Sequence, residues 1–292
     1  MTDKKRQIIN LWRTCFGDPE PFIDLYFSRV YKDENALTLE KNGHIVSALQ
    51  ILPYTMTLNG TVVPVAYVGG VCTDPKERGK GYMRQLMWEA MKEMKRRGFA
   101  LTALIPAESW LFDYYRQFGY AEVFRYSPTD YSDSSLKSLQ PITVVPSTEL
   151  EDKDLYVYMD TKLRERPACV LHSFDDFITI RKDFQLAGGD VFAALDEKQQ
   201  IMGMAFAFPM EGVLIVKECL FDSEEIEFSL IRELKPILNC TKAKGMRPAD
   251  AGQGLPKRMA CILDEERLAK LWLPQHPKSL LPENAYMSLM LD

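Results

Sequence analysis

The sequence predicts an α/β protein built on mixed sheets, in two domains of which the second repeats the first in outline. Its 292 residues are about twice an ordinary domain. A helix of marked amphipathic period lies between two strand-like runs, as in a βαβ unit. The order of helices, hairpin, long strand and helix then recurs in the second half. A polar stretch rich in Asp, Ser, Pro and Thr runs from Ser127 to Pro146, which places the domains at 1–139 and 140–292.

Ile8, Ile9, Leu11, Trp12, Cys15 and Phe16 form one apolar helical face that stops at Gly17-Asp18-Pro19. Asp18 is expected to cap a second helix carrying Phe22, Ile23, Tyr26, Phe27 and Val30, with Pro19 and Pro21 tolerated in its opening turn. Ala36–Glu40 and His44–Leu52 pair about Asn42-Gly43, because Asn-Gly suits a type I′ turn. A second such pair, Asn59-Gly60, leads into the long strand Thr61–Thr73, which Asp74-Pro75 ends.

Beyond the loop Arg78-Gly79-Lys80-Gly81, a helix from Tyr82 to Arg97 places Met83, Leu86, Met87, Ala90, Met91 and Met94 on one stripe. Gly98 stops it. Phe99–Ile105 reads as a buried strand and Glu108–Phe118 as a short helix closing on Gly119. In the second half, two helical patterns precede strands at Val191–Leu195, Ile201–Pro209 and Val213–Phe221. A helix over Ser223–Leu238 follows, and Tyr286–Asp292 reads as a terminal strand.

Composition narrows the function classes. Net charge is −5, from 36 basic and 41 acidic residues with no basic run, so the concentrated positive footprint of a nucleic-acid binder is missing. The apolar runs are strand-sized, far below the roughly 20 residues of a membrane span, and Met1-Thr-Asp-Lys-Lys-Arg-Gln has no apolar core of a leader behind it. Six scattered cysteines without a Cys-x-x-Cys pair are expected to be reduced thiols of a cytoplasmic protein. His44, His172 and His276 lie far apart, no zinc-ligand spacing occurs, and no Gly-x-Ser-x-Gly elbow is present. The expectation is therefore no metal, no nucleic acid and no membrane.

The passage with chemical content is the strand–loop–helix junction. The first N–H groups of a helix have no intrahelical acceptor and the helix dipole adds positive charge, so this junction suits a pyrophosphate. Gly79 and Gly81 remove side chains that would hold phosphate oxygens off those N–H groups, and Arg78 and Lys80 add charge. Gly69-Gly70 in the preceding strand permits a bulge or splay. In isolation Arg-Gly-Lys-Gly is more often a solvated turn; the flanking strands and helices raise its specificity.

Arg78-Gly79-Lys80-Gly81-Tyr82-Met83 and Tyr115-Arg116-Gln117-Phe118-Gly119-Tyr120 together resemble the GNAT acetyltransferase signature, over roughly residues 1–135. Met83 departs from the usual Gly or Ala. A bulkier residue there, and a tandem arrangement with a degenerate second domain, resemble the enhanced-intracellular-survival (Eis-like) branch. The members of that branch carry a third, sterol-carrier-like domain, which is not expected here, with about thirty residues after Asp264.

The resemblance implies a GNAT acyl-CoA N-acyltransferase fold with acetyl-CoA as co-substrate and a small-molecule amine or a peptide as acceptor. Val71, Cys72 and Thr73 would offer backbone groups to the pantetheine arm. Arg78, Gly79, Lys80, Gly81, Tyr82 and Met83 would wrap the pyrophosphate. Tyr115 would act as general acid toward the departing thiolate, in a direct attack with no covalent enzyme intermediate. The alternative is a core tyrosine on the stripe Leu111, Phe112, Tyr115, Phe118. Cys72, beside apolar neighbours and without a base nearby in sequence, is read as an inert small hydrophobe rather than a nucleophile.

The general base is unassigned among Glu108, Asp113 and the carboxylate terminus at Asp292. The second half offers Asp222-Ser223-Glu224-Glu225 where the first has its glycine loop, so a single cofactor site is expected. An aminoacyl or longer-acyl transferase and a non-catalytic acyl-CoA-binding module stay open as alternatives.

Overall fold

The computed structural model describes residues 1–58, 60–131, 141–249, 253–271 and 284–291. Asn59, His276, Asp292 and the expected domain boundary at 139/140 lie outside the described residues. In chain order the elements begin with α1 (Asp3–Phe16), α2 (Glu20–Arg29), β1 (Ala36–Lys41), β2 (His44–Leu58), β3 (Thr61–Thr73), α3 (Tyr82–Arg96) and β4 (Leu101–Leu104). They continue with α4 (Ser109–Arg116), β5 (Ala121–Asp130), β6 (Thr143–Pro146), α5 (Asp152–Arg164), β7 (Val170–Leu171), α6 (Phe174–Leu186) and β8 (Asp190–Leu195). The last are β9 (Ile201–Met210), β10 (Val213–Phe221), α7 (Glu224–Ile237), β11 (Lys242–Pro248), β12 (Leu255–Ile262) and α8 (Glu265–Leu271). By contacts the chain divides into two compact units, one of Met1–Phe124 with Pro256–Ala285, the other of Arg125–Leu255 with Tyr286–Leu291.

In the first unit, β1, β2 and β3 form an antiparallel meander. The strand order then runs through β4 to β12, a strand the sequence pattern does not predict. β3 and β4 are parallel, from Val65↔Leu101 to Tyr67↔Ala103, so α3 must cross back over the sheet between them. Its stripe of Leu86, Met87, Ala90, Met91 and Met94 is buried against Leu49, Ile51, Ala66, Val68, Leu104, Phe118 and Met259, the core of this unit. At the start, α1 is capped by Thr2, whose side chain accepts from the Lys5 N–H, and ends on Gly17. Asp18 does not cap α2 as expected. Pro19 holds that place without a side-chain bond, and the Asp18 carboxylate instead accepts from Trp12 Nε1 at 2.7 Å.

The second unit uses the same plan. β6, β8, β9 and β10 pair antiparallel, and β10 lies parallel to β11 with α7 as the crossover. Residues Tyr126–Asp130 of β5 pair antiparallel with β11. Leu214, Val216, Leu230, Ile231 and Leu234 lie at its centre with Phe192 and Ala205. A charged group is buried with them: Glu227 accepts from Tyr131 Oη at 2.7 Å and from Arg247 Nε at 2.8 Å. The terminal strand expected at Tyr286–Asp292 does not form over the described residues. Tyr286 makes a single bridge to Cys169, and Leu289 at φ 56° breaks the extended backbone. Among the described residues no helix is long and apolar enough to cross a membrane.

Candidate active site

The geometry of the first unit is set by a local defect in β3. Gln50 pairs with Gly69 and Ala48 with Cys72, so Gly70 and Val71 together face Leu49 and form a bulge. Gly70 has φ +59°, and a Cβ there would stand 2.6 Å from the Trp12 ring, so only glycine fits. Pairing of β3 with β4 ends at Tyr67↔Ala103, so Val71, Cys72 and Thr73 run on past the last paired residue of β4. The chain then turns through Pro75–Glu77, and Gly81, at φ 82°, becomes the N-cap residue of α3 with no side chain to fill the capping position.

A cavity of about 890 Å³ opens at this point. Val71, Cys72, Thr73, Arg78, Gly79, Gly81, Tyr82 and Met83 line it, and so does Tyr115 from α4. Nine of the ten sequence-predicted site residues therefore border one space; Lys80 does not. The Lys80 ammonium donates to Glu77 Oε2 at 2.7 Å, and Lys41 donates to the same carboxylate at 2.9 Å. Those two bonds, Lys80 first, hold the Glu77 carboxyl below its ordinary range. Arg78 Nε donates to the Thr73 carbonyl at 3.2 Å, which places its guanidinium at the mouth of the loop. The Cys72 carbonyl accepts from Ser47 Oγ at 3.1 Å.

The loop before α3 is sterically open. A Cβ placed on Gly79 or Gly81, at φ +79° and +82°, meets nothing within 4 Å, so the space before the helix is open. No acidic residue stands in the first turn of α3, whereas α7 of the second unit begins with Glu224, Glu225 and Glu227. Free N–H groups and a positive dipole end are thus paired with a cation in one unit and with carboxylates in the other.

Tyr115 is buried, 4% exposed, with its ring 5.4 Å from Tyr114 and 6.0 Å from Tyr120. Burial first, then the neighbouring Tyr114, raises its phenol well above the ordinary value, so the hydroxyl keeps its proton. Of the two carboxylates expected near α4, Glu108, its N-cap residue, lines the cavity. Asp113 is largely exposed and ion-paired with Arg116. Cys72 is buried, and its thiol is pushed up by a hydrogen bond to Cys15 and by burial.

Several lining residues escape a motif-based reading: Cys15, Phe16, Glu77, Arg84, Trp110, Leu111 and Tyr114. Trp110 and Tyr114 are four apart on α4, as are Leu111 and Tyr115, but only the latter pair belongs to the apolar stripe legible in the sequence. Trp110 is 62% exposed, which a purely structural tryptophan seldom is. Cys15 had no local signal, because its neighbour Cys72 is distant in the chain.

Residues 1–123 match the family model described as an acetyltransferase (GNAT) domain. No curated protein matches the chain. Among solved structures, the chain is similar to a probable N-acyltransferase from Enterococcus faecalis V583, with TM-score 0.73 and 15% identity over 92% of this chain and 73% of that one. It is also similar to a GCN5-related N-acetyltransferase from Kribbella flavida, with TM-score 0.70 and 20% identity over 93% and 72%. A third is Eis1 from Mycobacterium abscessus, with TM-score 0.69 and 13% identity over 91% and 72%. The chain therefore has the GNAT fold, with a GNAT acetyltransferase domain matched over residues 1–123 and acyl transfer as the chemistry that match supports.

Proposed function

We propose that the protein transfers the acetyl group of acetyl-CoA to an amine, at the cavity of the first unit, with the second unit as a degenerate GNAT-like domain of an Eis-like arrangement. The observation that carries this is the convergence on one cavity of the bulged end of β3, the Arg78–Gly81 loop and Tyr115. Arg78 and the first N–H groups of α3 hold the pyrophosphate, and Gly79 and Gly81 let it approach. Val71, Cys72 and Thr73 lie alongside the pantetheine arm, where β3 has no β4 partner. Bound acetyl-CoA supplies an activated thioester carbonyl. An amine placed against it needs no covalent enzyme intermediate, and the cavity orders the two reactants as neighbours.

Two proton movements fall to the protein. Tyr115 donates its phenolic proton to the departing thiolate, a role its retained proton suits. Glu108, the N-cap residue of α4, is a carboxylate within the cavity, and it takes the proton the amine sheds. Lys80 serves the site indirectly: with Lys41 it neutralises Glu77, which would otherwise face the phosphates with its charge uncompensated. A thiol-release assay with acetyl-CoA and longer acyl donors against a broad amine panel tests the proposal. Acceptor-dependent release that is fastest with the acetyl donor supports it. Cofactor binding without release for any amine would point to a binding module instead.

A further inference from the structure

Two cysteines, Cys15 and Cys72, share the wall of this cavity, and the acyl-transfer chemistry uses neither thiol. Cys15 belongs to the last turn of α1, and Cys72 to β3 just past its bulge. The Cys15 thiol donates to the carbonyl oxygen of Thr73, the residue next to Cys72, at 3.4 Å. Both residues line the cavity together with Arg78. Cys15 is half-buried, whereas Cys169, Cys219, Cys240 and Cys261 are buried, so among the six free thiols it is the one with an approach from solvent.

We propose that Cys15 and Cys72 form a peroxide-reactive dithiol: a hydroperoxide oxidises Cys15, and Cys72 closes an intramolecular disulfide that ties α1 to β3. The Cys15 thiolate attacks one peroxide oxygen; an S–O bond forms, the O–O bond breaks, and the leaving hydroxide takes up a proton as water. The Cys72 sulfur then attacks the sulfenic sulfur of Cys15; the S–S bond forms, the S–O bond breaks, and a second water leaves with the Cys72 proton. Two thiols lose two electrons in all, and the peroxide is reduced to two waters.

The local electrostatics agree with the order of events. The hydrogen bond from Cys72, with the Arg78 guanidinium adding its charge, draws the Cys15 thiol down to about 7, while Cys72 is raised. A thiolate-rich attacking sulfur beside a protonated resolving thiol is the arrangement of a peroxide-sensing pair. The site stands on two cysteines in one cavity wall and on the bond from Cys15 to the Thr73 carbonyl, and does not depend on the cofactor assignment.

The test treats the full chain with equimolar hydrogen peroxide, alkylates the remaining thiols and maps unreduced peptides. The expected product is a Cys15–Cys72 linked peptide, reversed by dithiothreitol, with Cys15 consumed at least ~10-fold faster than Cys261, as its more accessible and more ionised thiol requires. Cys72→Ser is expected to leave Cys15 as a sulfenic acid that dimedone traps, a result that survives even if the other variant, Cys15→Ser, folds poorly. The proposal is overturned if both thiols stay alkylatable after peroxide. Accumulation of over-oxidised Cys15 beside free Cys72 in the unsubstituted protein would overturn it equally. Saturating acetyl-CoA is expected to slow the cross-link severalfold. A cross-link that forms without such protection supports the dithiol and counts against the cofactor seat alone.

Discussion

Burial raises the proton affinity of the Tyr115 phenol, so the group stays protonated across neutral and moderately alkaline pH. A raised pKa in an acid means that its function is lost only as pH climbs past that raised value. The profile of kcat is therefore expected to show no alkaline limb from this tyrosine below pH ~10, the ordinary phenol value. Tyr115→Phe keeps the ring and its contacts with Tyr114 and Tyr120 but removes the proton. It is expected to lower kcat by roughly 10²–10⁴ while leaving KM for acetyl-CoA within about 3-fold, as steady-state kinetics would show. Glu108→Gln is expected to depress kcat by roughly 10²-fold or more in the same assay, whereas Asp113→Asn, outside the cavity, leaves it near the unsubstituted level.

Among the elements, β3 and α3 do most to build the site, and both were legible in the sequence for local reasons. A glycine pair marked the bulge, a glycine loop marked the N-terminus, and a one-sided methionine-rich stripe fixed the face α3 buries. Gly70→Ala therefore has a definite expected result. The new methyl group needs φ +59° and meets Trp12, so stability is expected to fall by about 1–3 kcal/mol, measurable by denaturant unfolding. Cofactor affinity is expected to fall with it, because the bulge ends β3 pairing where the arm lies. The sequence was less informative about β12 and β5. β12 opens with Leu255-Pro256-Lys257-Arg258, which hides the strand period, and its partner β4 lies far earlier in the chain. The cap of α2 was misread because Asp18 had a stronger use as acceptor for the Trp12 indole.

On the scale of the whole molecule, the recurrence of hairpin, long strand and crossover helix was visible in the pattern, and the second unit shows that plan. Its path was not, because the chain leaves the first unit within β5 and returns with β12, and pairings so distant leave no local period to read. The interior of the second unit also holds a charge that composition does not announce. Glu227 is fully buried, with Arg247 and Tyr131 as partners, and burial raises its carboxyl in spite of Arg247. Arg247→Met is expected to destabilise the protein by about 3–5 kcal/mol, since it strands a buried carboxylate, with a smaller loss at pH low enough to protonate it. The acidic start of α7 further predicts one acetyl-CoA per chain rather than two.

The central claim is that an anionic thioester cofactor docks where β3 hands over to α3. Isothermal titration of the full chain with acetyl-CoA, run beside Arg78→Glu, tests it most directly. The expected result is one site per chain, weakened by about 1.4–2.8 kcal/mol, or roughly 10–100-fold, when the Arg78 charge is reversed. No heat of binding at millimolar cofactor, or an affinity indifferent to Arg78→Glu, would contradict the assignment.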